Sequence, residues 1–354
     1  MPRPGDRGSA KTAPLLPASA TLLYADTRRR GSASPALEAR TTRMAYRLKN
    51  GEGAPEGLRR IAREELASAA AGLRQASART RDDAIHDARK SIKKVRAILR
   101  LVRGELGRTY ALENRRLRDV ARGLSVYRDA TVTIETIDHL RDRPGGNGAA
   151  GRFARSLAAM RRELVERRRN EQRAERMTAA MRRAADALAA AAARVSRWRL
   201  VMDGPMALLP GLERAYRRGR AAMADARRRA NPEYCHEWRK RVKDHWYHLR
   251  LLEDRWDAVA RAREESLKDL ETWLGEHHNL EVLSARLAAA AVNQRQPDEA
   301  EFCQGLIREM ERELRHKALA LGHELYRDPP ELFRRNLLEL WRPRRARAPR
   351  RRAA

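Results

Sequence analysis

The chain has 354 residues, a formal net charge of +30 and 5% aromatic residues. This length is ample for one or two buried cores, and the charge calls for a polyanionic partner such as nucleic acid, an anionic membrane or polyphosphate. Two cysteines, Cys235 and Cys303, exclude a disulfide framework and fit a reducing compartment, so a cytoplasmic location is expected.

The N-terminal 43 residues carry Pro, Gly, Ser and Thr without periodicity, which is typical of a segment without fixed structure. Residues 1–43 also show no secretory signal, so we expect translation to begin at Met44. From there Ala, Leu, Arg and Glu dominate and strand-like runs are scarce, residues 131–134 being one short candidate. The sequence therefore predicts an all-α fold. The longest apolar stretch, 184–195, is too short to cross a membrane, and no membrane partner is expected.

Residues 86–101 predict an amphipathic helix with one charged face. At about 100° per residue, the basic side chains fall within a sector of about 120°, and Ile92, Val95 and Leu99 lie opposite them. A charged helix face of this kind usually contacts only solvent and binds no ligand. We call it the first basic face, and its members are His86, Arg89, Lys90, Lys93, Arg96 and Arg100.

The same pattern returns after an offset of 150 residues. Asn231-Pro232 precedes this second copy, and Tyr247 lies on the same helix face as its cations. Identities at the same offset continue through Leu117/Leu267 and Leu124/Leu274, so the sequence predicts a tandem duplication. The predicted units are an extension at 1–43, a first half at 44–201, a second half at 202–341 and a basic tail at 342–354. The second basic face consists of His236, Arg239, Lys240, Lys243 and Arg250.

The lysines are concentrated in these two blocks. The chain has 68 arginines and nine lysines, and five of the nine lie in the duplicated helices. A repeat kept only for packing would preserve its apolar residues first, whereas this one preserves its cations. Compact ammonium groups suit contact with a flexible string of phosphates. The lysines in question are Lys90, Lys93, Lys94, Lys240 and Lys243.

The pattern His-x-x-Arg-Lys-x-x-Lys followed by an apolar helix, at 86–93 and 236–243, resembles the CHAD (conserved histidine α-helical domain) family. Segments 44–63, 211–220 and 274–283 are similar to other parts of that domain, in the same order, between Met44 and Trp341. The resemblance implies two four-helix bundles related by pseudo-twofold symmetry, whose basic faces line a shared central channel. It also implies inorganic polyphosphate as the ligand.

The resemblance further implies which side chains face the ligand. Arg63 is a first-half counterpart of the cations near Tyr216. The family often carries Arg-Asp or His-Asp in its later motif; the first half keeps Arg128-Asp129, but the second has His278-Asn279. The implied ligand set is His86, Arg89, Lys90, Lys93, Arg96, Arg100, Tyr216, Arg217, Arg220, His236, Arg239, Lys240, Lys243, Tyr247, Arg250 and His278.

These observations predict electrostatic binding of long phosphate chains, with the histidines adding pH dependence and with location at polyphosphate granules. No cofactor and no catalytic residues are expected, and neither Cys235-His236 nor His277-His278 completes a tetrahedral metal site. Two alternatives remain. Nucleic acid would also suit the charge, although no specific recognition motif is present, and a phosphate-chain hydrolase would need metal-holding carboxylates.

Overall fold

The computed structural model describes residues 46–49, 51–141, 149–173, 175–252, 258–291 and 297–341. The predictions for the extension at 1–43, the start at Met44, the tail at 342–354 and most of the glycine-rich loop after Arg141 lie outside these ranges. Within them the regular structure is entirely helical, so the predicted all-α fold is confirmed. The strand-like run at 131–134 is helical as well.

The helices follow one another with short connections. A short 3₁₀ turn, Val195–Arg197, ends the first half of the sequence. In chain order the α-helices are α1 Ala54–Gln75, α2 Arg81–Leu101, α3 Arg103–Leu106, α4 Arg108–Ser125, α5 Asp129–Arg141, α6 Ala149–Arg173, α7 Glu175–Arg194, α8 Gly204–Arg228, α9 Pro232–Arg250, α10 Ala258–Ala291, α11 Pro297–Leu325 and α12 Pro330–Trp341.

Side-chain caps begin the helices of the second half. The Asn231 carboxamide accepts a hydrogen bond from Glu233 N (2.9 Å), and Pro232 occupies the first turn of α9, where its missing N–H costs nothing. Asp203 Oδ1 accepts from Gly204 N (2.7 Å) at the start of α8 and from Ala54 N (2.6 Å) at the start of α1. One carboxylate thus holds the first helices of the two halves together.

The duplication extends to the helix boundaries. Helix α10 spans Ala258–Ala291, the range that the 150-residue offset assigns to α4 and α5 together. In the first half the chain bends at Val126–Arg128, whereas the second half continues as one helix through Glu276–His278. The two halves therefore differ at this joint.

The apolar residues form two cores, and each contains residues from both halves of the sequence. The larger contains Ile92, Leu99 and Trp238. It lies among α1, α2, α4, α7, α8, α9 and α12, together with the N-terminal part of α10 and the C-terminal part of α11. The smaller is a four-helix bundle of α5 and α6 with α11 and the C-terminal part of α10, around Ile137, Leu283 and other apolar side chains. The boundary near residue 201 divides the sequence repeat, but it does not divide the hydrophobic cores.

Candidate anion-binding site

Helices α2 and α9 pack against each other, and this contact brings the two basic faces together. At the contact, His248 Nε2 lies 2.8 Å from the carbonyl oxygen of Ala97, and the Arg100 guanidinium donates to Asp244 at 2.8 Å. Ala97 and Leu251 are buried. Side chains on the N-terminal sides of this contact remain available to a ligand.

Lys93 lies where cations from both helices converge. Its side chain is exposed to solvent, and many protein atoms lie around it. Desolvation, followed by the positive charges of Lys243, Arg89 and Arg239, lowers the pKa of Lys93 to about 7, whereas Glu271 acts in the opposite direction. The two predicted basic faces therefore meet in one electrostatic cluster. We call Arg89, Lys93, Arg239 and Lys243 the central cluster.

Glu271 on α10 neutralises part of the central cluster. Its Oε1 accepts hydrogen bonds from Lys243 Nζ (2.6 Å) and Arg239 Nε (3.1 Å). Burial would raise the pKa of Glu271, but the two cations outweigh it and lower the pKa to about 2. Sequence reasoning missed this residue, and the available signal was that its equivalent at the 150-residue offset is Ala121.

The first half holds its cations differently. Arg89, the equivalent of Arg239, donates to the backbone carbonyl oxygen of Ala121 (2.5 Å) instead of to a carboxylate. Lys90 has neither a hydrogen-bond nor an ion-pair partner among the described residues, whereas Lys240 is paired with Glu237 at 2.7 Å. The first basic face therefore has the larger excess of positive charge.

Two histidines stack beside the second basic face. The ring centroids of His236 and His278 are 4.1 Å apart, and His278 Nδ1 lies 3.0 Å from Glu281 Oε2. The Nδ1 atom of His236 is buried and has no hydrogen-bond partner in the described structure. Desolvation and the neighbouring charges of His278, Lys240 and Arg239 lower the pKa of His236 to about 4. Without a bound anion, His236 is neutral at pH 7.

The CHAD domain family model matches residues 60–288, which is more than half of the chain. The protein belongs to the CHAD domain family. The match is shorter at both ends than the range 44–341 expected from the sequence. The fold of this CHAD domain is also similar to the crystal structure of the CHAD domain from the plant Ricinus communis, with a TM-score of 0.52 and 15% identity over 79% of this chain and 91% of that chain. None of the curated proteins matches the sequence.

Three predicted ligand residues of the CHAD domain contact another part of the fold. Tyr216 is fully buried, stacks on Phe333 with ring centroids 4.0 Å apart and donates to the Asp328 carbonyl oxygen at 2.8 Å. Arg217 pairs with Glu213, and Arg220 Nε donates to the Tyr326 carbonyl oxygen at 3.2 Å. The structure thus places Tyr216 and Arg220 against the segment before α12, and it pairs Arg217 with a residue of its own helix.

Two further residues assigned to the basic helices are buried. Tyr247 packs against Tyr46 and Trp246, with ring centroids 5.8 Å and 4.9 Å away, and its side chain does not face solvent. Lys94 is also buried: its ammonium pairs with Glu65 and lies 5.2 Å from the Tyr46 ring centroid. Counting Lys94 among the ligand-facing lysines was therefore wrong, because this side of α2 packs into the core.

The remaining predicted residues lie at the ends of the two faces. His86 is exposed at the start of α2. Arg96 Nε donates to Asn114 Oδ1 (3.0 Å), and the Arg250 guanidinium lies 5.8 Å from the Trp246 ring centroid. The cations at the C-terminal ends of the helices are thus engaged with protein groups, in contrast to Lys90.

The described part of the CHAD domain contains neither a cluster of metal ligands nor a membrane-spanning helix. No group of three or more His, Cys, Asp or Glu side chains there could hold a metal ion. None of its described helices is long and apolar enough to cross a membrane. Cys235 and Cys303 are both buried, and neither forms a disulfide within the described structure.

Proposed function

We propose that the protein binds inorganic polyphosphate through the two basic faces, without hydrolysing it. The convergence of Lys93, Lys243, Arg89 and Arg239 carries this proposal, because one contacting carboxylate, Glu271, balances only part of their charge. Membership of the CHAD family supports the choice of polyphosphate, the ligand that the family resemblance implies. The ligand set keeps the central cluster with His86, Lys90, His236, Lys240 and His278, and it omits Tyr216 and Tyr247, which are buried.

The proposed binding is electrostatic. Each phosphate of the chain carries roughly one negative charge, so several cations can contact successive phosphates and release their counterions, as on nucleic acids. Lysine and arginine then hold the non-bridging oxygens through charge-assisted hydrogen bonds. Affinity is therefore expected to fall steeply as salt increases.

Binding without hydrolysis fits the carboxylate near the cluster. Enzymatic phosphoryl transfer usually relies on carboxylates that hold metal ions beside the phosphates. Glu271 is instead committed to Lys243 and Arg239, with a pKa of about 2. Release of inorganic phosphate from polyphosphate in the presence of Mg²⁺ or Mn²⁺ would favour the hydrolase alternative.

The direct test is a titration of long-chain polyphosphate at several salt concentrations. The variant Lys90→Gln combined with Lys240→Gln should bind polyphosphate about tenfold more weakly. The slope of log affinity against log salt concentration should also become shallower by about two, because each lysine is assigned a phosphate contact. The matched control is Lys268→Gln with Lys317→Gln, which removes the same charge from two exposed lysines elsewhere. If both double variants bind like the unaltered protein, the site assignment is wrong.

A competition experiment addresses nucleic acid as the alternative partner. Labelled polyphosphate is bound first, and double-stranded DNA is added at equal phosphate concentration. We expect DNA to displace it poorly, because a flexible chain adapts to cations on two helices more readily than a stiff duplex does. Efficient displacement would favour the nucleic-acid alternative. Location at polyphosphate granules is part of the proposal, and imaging of the Lys90/Lys240 variant would test it in cells.

A further inference from the structure

A second group of cations surrounds a small pocket between the C-terminal end of α2, helix α8 and helix α9. Its lining contains four arginines, Arg100, Arg214, Arg218 and Arg241, and a single described carboxylate, Asp244. Arg214 and Arg218 have no place in the ligand set assigned above. This surface therefore needs an explanation of its own.

The protein groups around the pocket do not balance its charge. Asp244 accepts a hydrogen bond from Arg100 at 2.8 Å, and Arg241 pairs with Glu237 at 3.2 Å, so the unbalanced charge lies on Arg214 and Arg218. Arg214 donates to the backbone carbonyl oxygens of Arg100 (3.2 Å) and Leu101 (3.4 Å), which carry no formal charge. Arg218 is exposed and has neither a hydrogen-bond nor an ion-pair partner in the described part of the chain. Positive charge is thus left in excess.

Holding these cations together has an electrostatic cost. Desolvation and then the charge of Arg103 lower the pKa of Arg214, and desolvation and then Arg241 lower the pKa of Arg218. Like charges at the edge of a low-dielectric crevice repel one another, and an anion placed between them would relieve this repulsion.

The close approach of α8 to α2 positions the arginines. A Cβ atom at Gly211 would overlap the carbonyl oxygen of Leu101, so only glycine fits at this point without movement of the backbone. Arg214 and Arg218 follow Gly211 by three and seven residues and therefore lie on the same side of α8. Gly211 thereby lets α8 bring both guanidinium groups to the end of α2.

The pocket is not a product of the duplication. At the 150-residue offset, five of its positions in the second half correspond to residues of the first half that carry either no charge or the opposite charge. An arginine-rich chain would be expected to place arginine at both copies with similar frequency. For Gly211, Arg214, Arg218, Arg241 and Asp244, the first-half equivalents are Ile61, Glu64, Ser68, Ser91 and Lys94.

We propose that this pocket is a second anion subsite that binds a phosphoryl group, supplied either by a polyphosphate chain or by free inorganic phosphate. Arg100 lies seven residues after Lys93, about 10 Å along α2, so a chain on the central cluster has only two helical turns to cover. The chain-bound form of this proposal rests on the proposed function, whereas binding of free phosphate does not.

The experiment uses calorimetric titration of the full chain with inorganic phosphate, tripolyphosphate and long-chain polyphosphate. The test variant is Arg218→Gln with Arg241→Gln. Both side chains lie on the surface of their helices, so the fold should persist, as circular dichroism would verify. The matched control is Arg227→Gln with Arg228→Gln, which removes two exposed arginines from the C-terminal end of α8. A single Arg218→Gln variant repeats the test with one charge removed instead of two.

We expect tripolyphosphate to bind about tenfold more weakly to the test variant. Its affinity for the control variant should change by about twofold or less, because exposed charges are screened. Equal affinities in test and control for all three ligands would overturn the proposal. If long chains depend on Lys90 and Lys240 but not on Arg218, the proposed function stands and the subsite fails. If long chains fail to bind but phosphate binding depends on Arg218, the subsite stands alone.

Discussion

Glu271 illustrates how a single side chain tunes the central cluster. It is the residue that differs between the two halves at the point where their cations meet, with Ala121 as its equivalent. An anionic ligand must compete with this carboxylate for Lys243 and Arg239. The cations that the second basic face contributes to the central cluster therefore have a carboxylate that competes with the ligand.

Replacing Glu271 with glutamine should strengthen polyphosphate binding by several-fold, because the competing charge disappears while the side-chain shape is kept. The free protein should lose about 1–3 kcal/mol of stability, since Lys243 and Arg239 lose a charged partner. Titration and thermal denaturation with and without polyphosphate would measure both effects. Glu265→Gln, on the exposed side of the same helix, is the matched control. Weaker binding by the Glu271 variant would contradict this assignment.

Lys93 should couple binding to proton uptake. Its pKa of about 7 in the free protein means that the side chain loses its proton as the pH rises through neutrality. Phosphates nearby would raise that pKa, so the bound protein holds more protons and the affinity should fall between about pH 7 and pH 9. Calorimetry in buffers of different ionisation enthalpy measures the uptake.

Lys93→Gln should remove the proton uptake in this pH range. His236 cannot substitute for Lys93 there, because its pKa in the free protein is about 4. A proton uptake that persists at pH 8 in the Lys93 variant would show that another group is responsible.

At the scale of elements, helix starts and helix contacts decide where the basic faces lie. Helices α2 and α9 were recognisable from their period of 3.6 residues, since apolar residues on one side and cations on the other are local properties. The contact between them was not, because it depends on buried groups such as His248 and Ala97 that carry no periodic signal. Tyr247, which lies on the predicted basic face by angle, is buried because it packs against Tyr46 and Trp246.

The carboxylate of Asp203 should matter more than an ordinary cap. It accepts hydrogen bonds from the first turns of both α8 and α1, so Asp203→Ala should lower the free energy of unfolding by about 2 kcal/mol. Asn231→Ala, which removes a cap from α9 alone, should cost about 1 kcal/mol. Urea denaturation of both variants tests this order, and equal losses would show that the link to α1 contributes nothing.

At the scale of the whole molecule, the duplicated sequence does not produce two separately cored units. The smaller core joins Ile137 of the first half to Leu283 of the second, and the larger core joins Ile92 to Trp238. Cations from both halves meet only when these cores have formed. The ligand site and the stability of the fold therefore depend on the same contacts.

A chain containing residues 44–201 alone should not form a native-like fold. Without α10 and α11, the apolar faces of α5 and α6 lose the partners that bury them. We expect substantial helix content by circular dichroism together with dye binding and broad amide resonances in NMR spectra. Sharp, dispersed spectra and cooperative unfolding of this half would contradict the shared-core description.

The sequence by itself determined the all-α class, the 150-residue repeat and the basic faces of α2 and α9, because helical periodicity and residue spacing are encoded locally. The tertiary structure decided which cations remain accessible. It buried Lys94 against Glu65 and placed Glu271 beside Lys243. These outcomes depend on how helices distant in sequence cross, and a helical wheel contains no information about the neighbouring helix.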